Sequence, residues 1–147
     1  MHQADLQTDR TKPDSIAMGS YNSDSHNVQR VALEDGSVFN EGDVQVPVKP
    51  YEISFRAIVP KEGEVTDLLV PVCLSASHVA YSSIRMEPQY MMIGQAAGVA
   101  AALAIRNGTS VQKVPVDRLQ TILREGDSIL HIDQQATRAK SKIHPEP

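Results

Sequence analysis

The sequence predicts an α+β fold in which short antiparallel strands are followed by one further strand and a long helix. Residues 44–59 alternate between apolar and polar side chains with a period of two, interrupted by proline, which is typical of edge strands in an antiparallel sheet. Residues 68–74 are continuously apolar, as expected of a strand covered on both faces in a parallel sheet. Residues 88–106 are rich in alanine and end at Asn107-Gly108, which is a signal for the end of a helix.

The chain divides by composition into four parts. They are residues 1–14, expected to be a disordered start; residues 15–66, expected to be antiparallel strands; residues 67–132, expected to hold the apolar strand and the helices; and residues 133–147, a polar tail. Within the second part, Glu34-Asp35-Gly36-Ser37 predicts a turn. Within the third part, the spacing predicts a short amphipathic helix over Val116–Arg124, and Ile129–Ile132 are expected to add a last strand.

The composition excludes several classes of protein. The chain has 147 residues, of which 41% are hydrophobic and 22% charged, and its net charge is −4. Nucleic acid is therefore not an expected partner. The longest apolar run, Tyr90–Ile105, is shorter than the roughly 20 residues of a membrane span.

The single cysteine, Cys73, is expected to be a buried, inert thiol. The first 14 residues carry no stretch of signal-peptide type, and the compartment stays open, cytoplasmic or exported.

The long helix carries small residues at Gly94, Ala97, Gly98, Ala101 and Ala102. Glycine inside a helix is about 1 kcal/mol less favourable than alanine, so two glycines indicate close packing against a neighbouring backbone. An Ala-rich core helix has the same composition, and both interpretations stay open. The start of the helix offers unpaired backbone N–H groups and a partial positive charge, which suit an electron-rich ligand.

Six stretches of the chain, taken in order, carry a resemblance to a known family. They are Asp24–Arg30, Tyr51–Pro60, Leu68–His78, Ser82–Pro88, Gly94–Gly98 and Val111–Leu119. Together they resemble the carboxy-terminal part of FAD-dependent oxidoreductases, and most closely the bacterial family often labelled xanthan lyases. The resemblance implies strands of a substrate or cap domain, followed by the last strand and helix of a Rossmann-like FAD-binding domain. It also implies FAD as the cofactor and hydride transfer from the substrate to flavin N5.

The chain departs from such flavoproteins in one respect. None of its eight glycines is separated from another by one residue, so the G-x-G-x-x-G fingerprint is absent. We therefore expect a C-terminal portion that is inactive when isolated, and whose partner is a missing N-terminal Rossmann half or another chain. The expected ligands are a flavin and an unidentified small-molecule or carbohydrate substrate. The alternative is a non-catalytic α+β binding or assembly module that uses the Ala/Gly-rich helix as its interface.

The candidate catalytic residues are His78, His26 and Arg85. Imidazole titrates near neutrality, and a guanidinium could stabilise reduced flavin or hold an anionic substrate. The plainer interpretations are structural histidines and an ion pair between Arg85 and Glu87. The resemblance and the helix start imply these cofactor-binding residues: Ser75, Ser77, Met86, Glu87, Gln89, Tyr90 and Gln95. Gln95 could instead bond a neighbouring backbone. No Cys or His pair has metal-ligand spacing, so no metal is expected.

Overall fold

Residues 15–54 form one long antiparallel ribbon whose pairing is interrupted twice. The computed structural model describes residues 1–133. Its three ladders join β1 (Ser15–Gly19) with β6 (Tyr51–Ser54), β2 (Ser23–Ser25) with β5 (Val44–Val46), and β3 (Gln29–Ala32) with β4 (Val38–Glu41). The prediction of antiparallel strands is confirmed. They are nested as a single hairpin, rather than arranged side by side in one sheet or meander.

The turn at the tip of the ribbon follows its sequence signal. Gly36 has a φ of +81°, in the left-handed region that favours glycine. The Leu33 N–H donates to the Ser37 carbonyl over 2.9 Å and closes the turn. The Asp35 carboxylate accepts from both the amide and the hydroxyl of Ser37. The turn predicted at Glu34–Ser37 is therefore confirmed.

Burial falls along the ribbon from its base to its tip. At the base, Ile16, Tyr51 and Ile53 are fully buried. At the tip, every residue of β3 and β4 is exposed, and Phe39 exposes 53% of its surface. Two strands without a covering layer are marginally stable by themselves, so the base holds the ribbon in place.

Four helices and two 3₁₀ turns complete the part of the chain that the structure describes. They are α1 (Gln3–Gln7), α2 (His78–Ile84), α3 (Glu87–Asn107) and α4 (Val116–Glu125), with the 3₁₀ turns at Phe55–Ile58 and Val111–Lys113. The helices α3 and α4 confirm the two that the sequence predicts. Pro88 lies in the first turn of α3, and Gly108 ends the helix with a φ of +59°.

The core lies where the ribbon base meets α3 and α4. The inward face of α3 repeats at helical spacing, and α3 contacts both β1 and α4. The buried cluster includes Ile93, Ala96, Ala100 and Leu103 of α3, Ile16 and Ile53 of the ribbon, and Leu119 and Leu123 of α4. Burial of each large aliphatic side chain stabilises the fold by roughly 1.5–3 kcal/mol. This core fixes the start of α3 relative to the ribbon.

Residues 68–74 do not form the predicted strand. The segment lies along the 3₁₀ turn at Phe55–Ile58, where the Val70 N–H donates to the Ile58 carbonyl over 2.9 Å. Val72 is exposed, and so is Cys73, which the sequence had suggested was buried. A strand that is apolar on both faces needs neighbouring strands, and residues 1–133 contain only the antiparallel pairs of the ribbon. The apolar run is present in the sequence, but no strand within the described residues pairs with it.

The predicted disordered start is also wrong. Residues 1–14 contain α1, whose Leu6 is buried in the core. The terminal ammonium of Met1 donates to the Ser75 carbonyl over 2.7 Å. Asp14 forms an ion pair with Arg56, at 2.9 Å between carboxylate and Nε. Polar composition alone did not reveal these distant partners.

The last strand predicted at Ile129–Ile132 is replaced by a segment docked on a buried carboxylate. Glu52 accepts from the Ile132 N–H over 3.1 Å, and its other oxygen lies 3.2 Å from His131 Nδ1. That second oxygen also accepts from the Lys12 N–H over 2.7 Å. Of the predicted polar tail, residues 134–147 lie outside the described residues. Within residues 1–133, no helix is long and apolar enough to cross a membrane.

Candidate active site between strand β2 and helices α2 and α3

Helix α2 and the residue that ends it present three polar side chains on one face. Ser77 caps its start, where the Ser77 hydroxyl accepts from the Ala80 N–H over 3.3 Å. His78 is therefore the first helical residue, and Tyr81 and Arg85 follow it at intervals of three and four. Residues at this spacing share a helix face. The capping serine thus places a histidine, a phenol and a guanidinium in a row.

Strand β2 of the ribbon runs along this row. The Ser25 hydroxyl lies 2.9 Å from His78 Nε2. The Arg85 guanidinium donates from Nη2 to the Asp24 carbonyl over 2.8 Å, rather than to the Glu87 carboxylate. The structure therefore brings two of the three predicted catalytic residues, His78 and Arg85, to one strand that is more than fifty residues away in sequence.

His26, the third predicted catalytic residue, lies just beyond the end of β2 and is exposed. Its backbone carbonyl accepts from the Ser25 hydroxyl over 3.2 Å. The neighbouring Asp24 carboxylate accepts from the Tyr21 hydroxyl over 3.1 Å. His26 is thus at the edge of the same site, with its carbonyl, and not its ring, tied to the serine.

Two tyrosines meet where α2 passes into α3. The hydroxyls of Tyr81 and Tyr90 are 2.6 Å apart. Burial and the hydrogen bond with Tyr81 raise the pKa of the Tyr90 phenol to about 12. Tyr90 is therefore a neutral hydrogen-bonding group near neutral pH. Since one hydroxyl of the pair donates to the other, the accepting hydroxyl keeps its own proton for a further acceptor.

The start of α3 has fewer free amides than the sequence suggested. The Met86 N–H donates to the Ile84 carbonyl over 2.8 Å, and the Tyr90 N–H donates to the Met86 carbonyl over 3.1 Å. The first-turn amides at Glu87 and Gln89 remain, because these positions have no intrahelical acceptor and Pro88 carries no N–H. The prediction of four available donors is thereby reduced to two.

Three other predicted cofactor-binding residues do not join these two amides. Ser75 lines a separate cavity of about 220 Å³ beside α1 and Arg56. Ser77 is occupied as the cap of α2. The Gln95 side chain reaches towards the end of α4, where its Nε2 is 3.6 Å from the point at which a side chain on Gly126 would begin. The Gln95 side chain therefore lies beside α4, away from the two amides at the start of α3.

A cavity of about 510 Å³ opens at the start of α3. Three methionines make its wall mainly apolar, and the buried Gln89 side chain adds one amide group. Its lining is Met18, Gly19, Ser20, Tyr21, Pro50, Met86, Pro88, Gln89, Met92 and Ile129. Its volume is in the range of small-molecule sites. Tyr21 belongs both to this cavity and to the polar cluster around Asp24, so the two adjoin.

The model of the FAD dependent oxidoreductase family matches residues 1–123. The chain belongs to this family. FAD is therefore the cofactor of this oxidoreductase, and the match includes the ribbon, α2, α3 and most of α4. No curated protein and no solved structure matched the chain.

The residues of the oxidoreductase fit one end of FAD. An apolar cavity beside two free helix amides suits a flat ring system with an electron-rich edge. The sequence contains no G-x-G-x-x-G stretch, which is the usual means of holding the pyrophosphate. The described residues contain no group of three or more His, Cys, Asp or Glu that could hold a metal ion.

Sequence reasoning missed three residues of the candidate site. Ser25 lies between the two residues of the Asp24/His26 pair, but on the opposite face of the strand in a simple alternation. Tyr81 follows His78 by three residues, a spacing that could have placed both on one helix face. Tyr21 contributes through a cavity that forms only in three dimensions, and no local signal marks it.

Proposed function

We propose that this chain forms the flavin-ring side of the active site of an FAD-dependent oxidoreductase. The ribbon would be part of the substrate or cap domain, and α2 and α3 would belong to the FAD-binding domain. The observation that carries the proposal is the 510 Å³ cavity at the first turn of α3, next to the His78 and Arg85 cluster. When bound, FAD supplies the acceptor for a hydride removed from the substrate.

The residues of the chain have distinct parts in this proposal. The amides of Glu87 and Gln89 hold the electron-rich edge of the ring, aided by the positive end of α3. The methionine walls exclude water from the ring. His78 accepts a proton from the substrate, and Arg85 stabilises negative charge on the substrate or the reduced ring. Arg85 can do so because the Asp24 carbonyl occupies only one of its five N–H groups.

A second stretch of polypeptide completes the site in this proposal. It carries the G-x-G-x-x-G turn that binds the pyrophosphate, either in the same protein or in another chain. The outer face of α3 is the surface available to it. A side chain at Gly94 or Gly98 would meet no atom within 4 Å, and Met91 and Ile105 expose 76% and 81% of their surfaces. The protein that combines both parts is expected to purify yellow.

The test is a comparison of two adjacent methionines. Met92 lines the cavity, whereas Met91 lies outside it. We expect riboflavin and FAD to bind the 147-residue chain with similar affinity, measured by quenching of flavin fluorescence, because the chain contacts only the ring. Met92→Arg should abolish this binding, and Met91→Arg should leave it unchanged. Far-ultraviolet circular dichroism establishes that both variants are folded.

Two outcomes would contradict the proposal. One is equal flavin binding by the Met92 and Met91 variants, which would mean that the cavity is not the ring site. The other is FAD binding much tighter than riboflavin binding, which would mean that the adenine half has its own site on this chain. Absence of flavin absorbance from the combined protein would exclude the function altogether.

One observation favours a second function, a non-catalytic assembly module. The exposed apolar residues and open glycine positions of α3 also suit self-association of this chain. This alternative predicts a stable oligomer in sedimentation velocity without any flavin. It also predicts that Ile105→Asp, which lies outside the cavity, dissociates that oligomer. A wild-type monomer would exclude it.

A further inference from the structure

Ser25 is the contact through which the ribbon reaches His78. Only 8% of its surface is exposed, and it occupies the last position of β2. Its hydroxyl has two neighbours, the His26 carbonyl oxygen at 3.2 Å and His78 Nε2 at 2.9 Å. His78 itself is an exposed residue at the start of α2. A buried hydroxyl thus holds one edge of an exposed imidazole.

The two neighbours of the hydroxyl have different hydrogen-bonding capacities. A carbonyl oxygen can only accept, and a serine hydroxyl has one proton to donate. When that proton is donated to the His26 carbonyl, the serine oxygen is left with lone pairs facing His78. The ring nitrogen at 2.9 Å must then carry a hydrogen and donate it. This arrangement gives all three groups a hydrogen-bond partner. If the serine donated to Nε2 instead, the His26 carbonyl would lose the Ser25 hydroxyl as its donor.

We propose that Ser25 is a positioning residue that holds neutral His78 as the Nε2–H tautomer and leaves Nδ1 as the proton acceptor. The catalytic consequence rests on the proposed function, but the tautomer does not. A proton taken from a substrate heteroatom binds at Nδ1, and the Nε2–H bond to the serine oxygen becomes charge-assisted and stronger. Since the ring is exposed, the proton leaves to solvent afterwards.

The tautomer is measurable without flavin or activity. The full 147-residue chain, labelled with ¹⁵N, is examined by long-range ¹H–¹⁵N correlation at a pH where imidazole is neutral, and the signals lost in His78→Gln assign the ring. We expect wild-type Nε2 to resonate as a protonated nitrogen and Nδ1 as an unprotonated one. Ser25→Ala should shift both nitrogens towards the average of the two tautomers. Ser25→Thr, which keeps the hydroxyl, should restore the wild-type pattern.

Ser23→Ala is the matched control. Ser23 is a buried serine on the same strand, two residues away, and its substitution should leave the His78 nitrogens unshifted. A wild-type spectrum with the proton on Nδ1, or averaged between the nitrogens, would overturn the proposal. An unshifted spectrum in Ser25→Ala would do the same. If the tautomer holds while the Met92 test fails, the positioning stands and the flavin function falls, so the two failures are distinguishable.

Discussion

Replacing Ser83 by alanine is expected to leave the phenol of Tyr51 without its hydrogen-bond acceptor. Tyr51 is fully buried at the ribbon base, and its hydroxyl lies 2.8 Å from the Ser83 hydroxyl, which itself donates to the Tyr21 carbonyl. The tyrosine must therefore donate to the serine. Burial raises the pKa of the Tyr51 phenol to about 12, so it stays a neutral donor. When the Ser83 hydroxyl is removed, the Tyr51 phenol loses the acceptor that lies 2.8 Å from it.

The magnitudes follow from which groups remain unsatisfied. Tyr51→Phe in the wild type removes one ordinary hydrogen bond and should lower the free energy of unfolding by about 1 kcal/mol. Ser83→Ala leaves a desolvated phenol and should lower it by roughly 2–3 kcal/mol. In the Ser83→Ala background, Tyr51→Phe removes the hydroxyl that has no acceptor, so it should raise the free energy of unfolding by about 1 kcal/mol. The same substitution thus changes sign between the two backgrounds.

Urea unfolding followed by far-ultraviolet circular dichroism measures all four proteins of this cycle. Tyr21→Phe is the control, because its exposed hydroxyl donates to the Asp24 carboxylate at the surface and its loss should change stability by less than about 0.5 kcal/mol. If Tyr51→Phe lowers stability equally in both backgrounds, within about 0.5 kcal/mol, the two hydroxyls are not coupled. That result would contradict the hydrogen-bond network that we assign between Ser83 of α2 and the ribbon.

Two further predictions concern charge and packing. Burial alone would raise the pKa of the Asp14 carboxyl, but hydrogen bonds from Arg56 and Ser54 outweigh it and hold that pKa below the usual 3.8. Its stabilisation is therefore complete above the unfolded pKa and is lost as the pH falls through the folded value, so the difference in urea midpoint between wild type and Asp14→Asn should shrink below about pH 4. An unchanged difference would refute the ion pair. Ile93→Ala, at a fully buried site on α3, should lower the free energy of unfolding by roughly 2–5 kcal/mol, whereas Ile105→Ala on the exposed face should change it by less than about 0.5 kcal/mol. Equal effects would contradict the assignment of a buried face and an exposed face to α3.

The features that the sequence predicted correctly depend on local chemistry. The turn at Gly36 needs a positive φ, and the end of α3 needs the same freedom at Gly108, so both are visible in a few consecutive residues. The amphipathic spacing of α4 is equally local. The prediction for residues 68–74 failed because an apolar run does not specify a partner strand, and residues 1–133 supply none.

The candidate site was only partly predictable for a similar reason. His78 and Arg85 were identified by their chemistry, but Ser25 meets His78 across 53 positions of sequence. The register of the ribbon decides that meeting, and no residue near either partner encodes it. The amides of Met86 and Tyr90 were overestimated, because the tight junction between α2 and α3 uses both within the backbone.

The nested pairing of the ribbon also determines the order in which it can form. Closing the hairpin at Gly19 and Tyr51 spans about 31 residues, against about five between Ala32 and Val38, which makes the base less favourable by about 1.6 kcal/mol of loop entropy. Burial of Ile16 or Ile53 alone, each worth roughly 1.5–3 kcal/mol, offsets that difference, and the exposed tip gains nothing comparable. We therefore predict that folding proceeds from the base outwards, through contacts that are distant in sequence. Refolding should accordingly be slow for a chain of this size, and substitutions at the base should slow it while those at the tip should not.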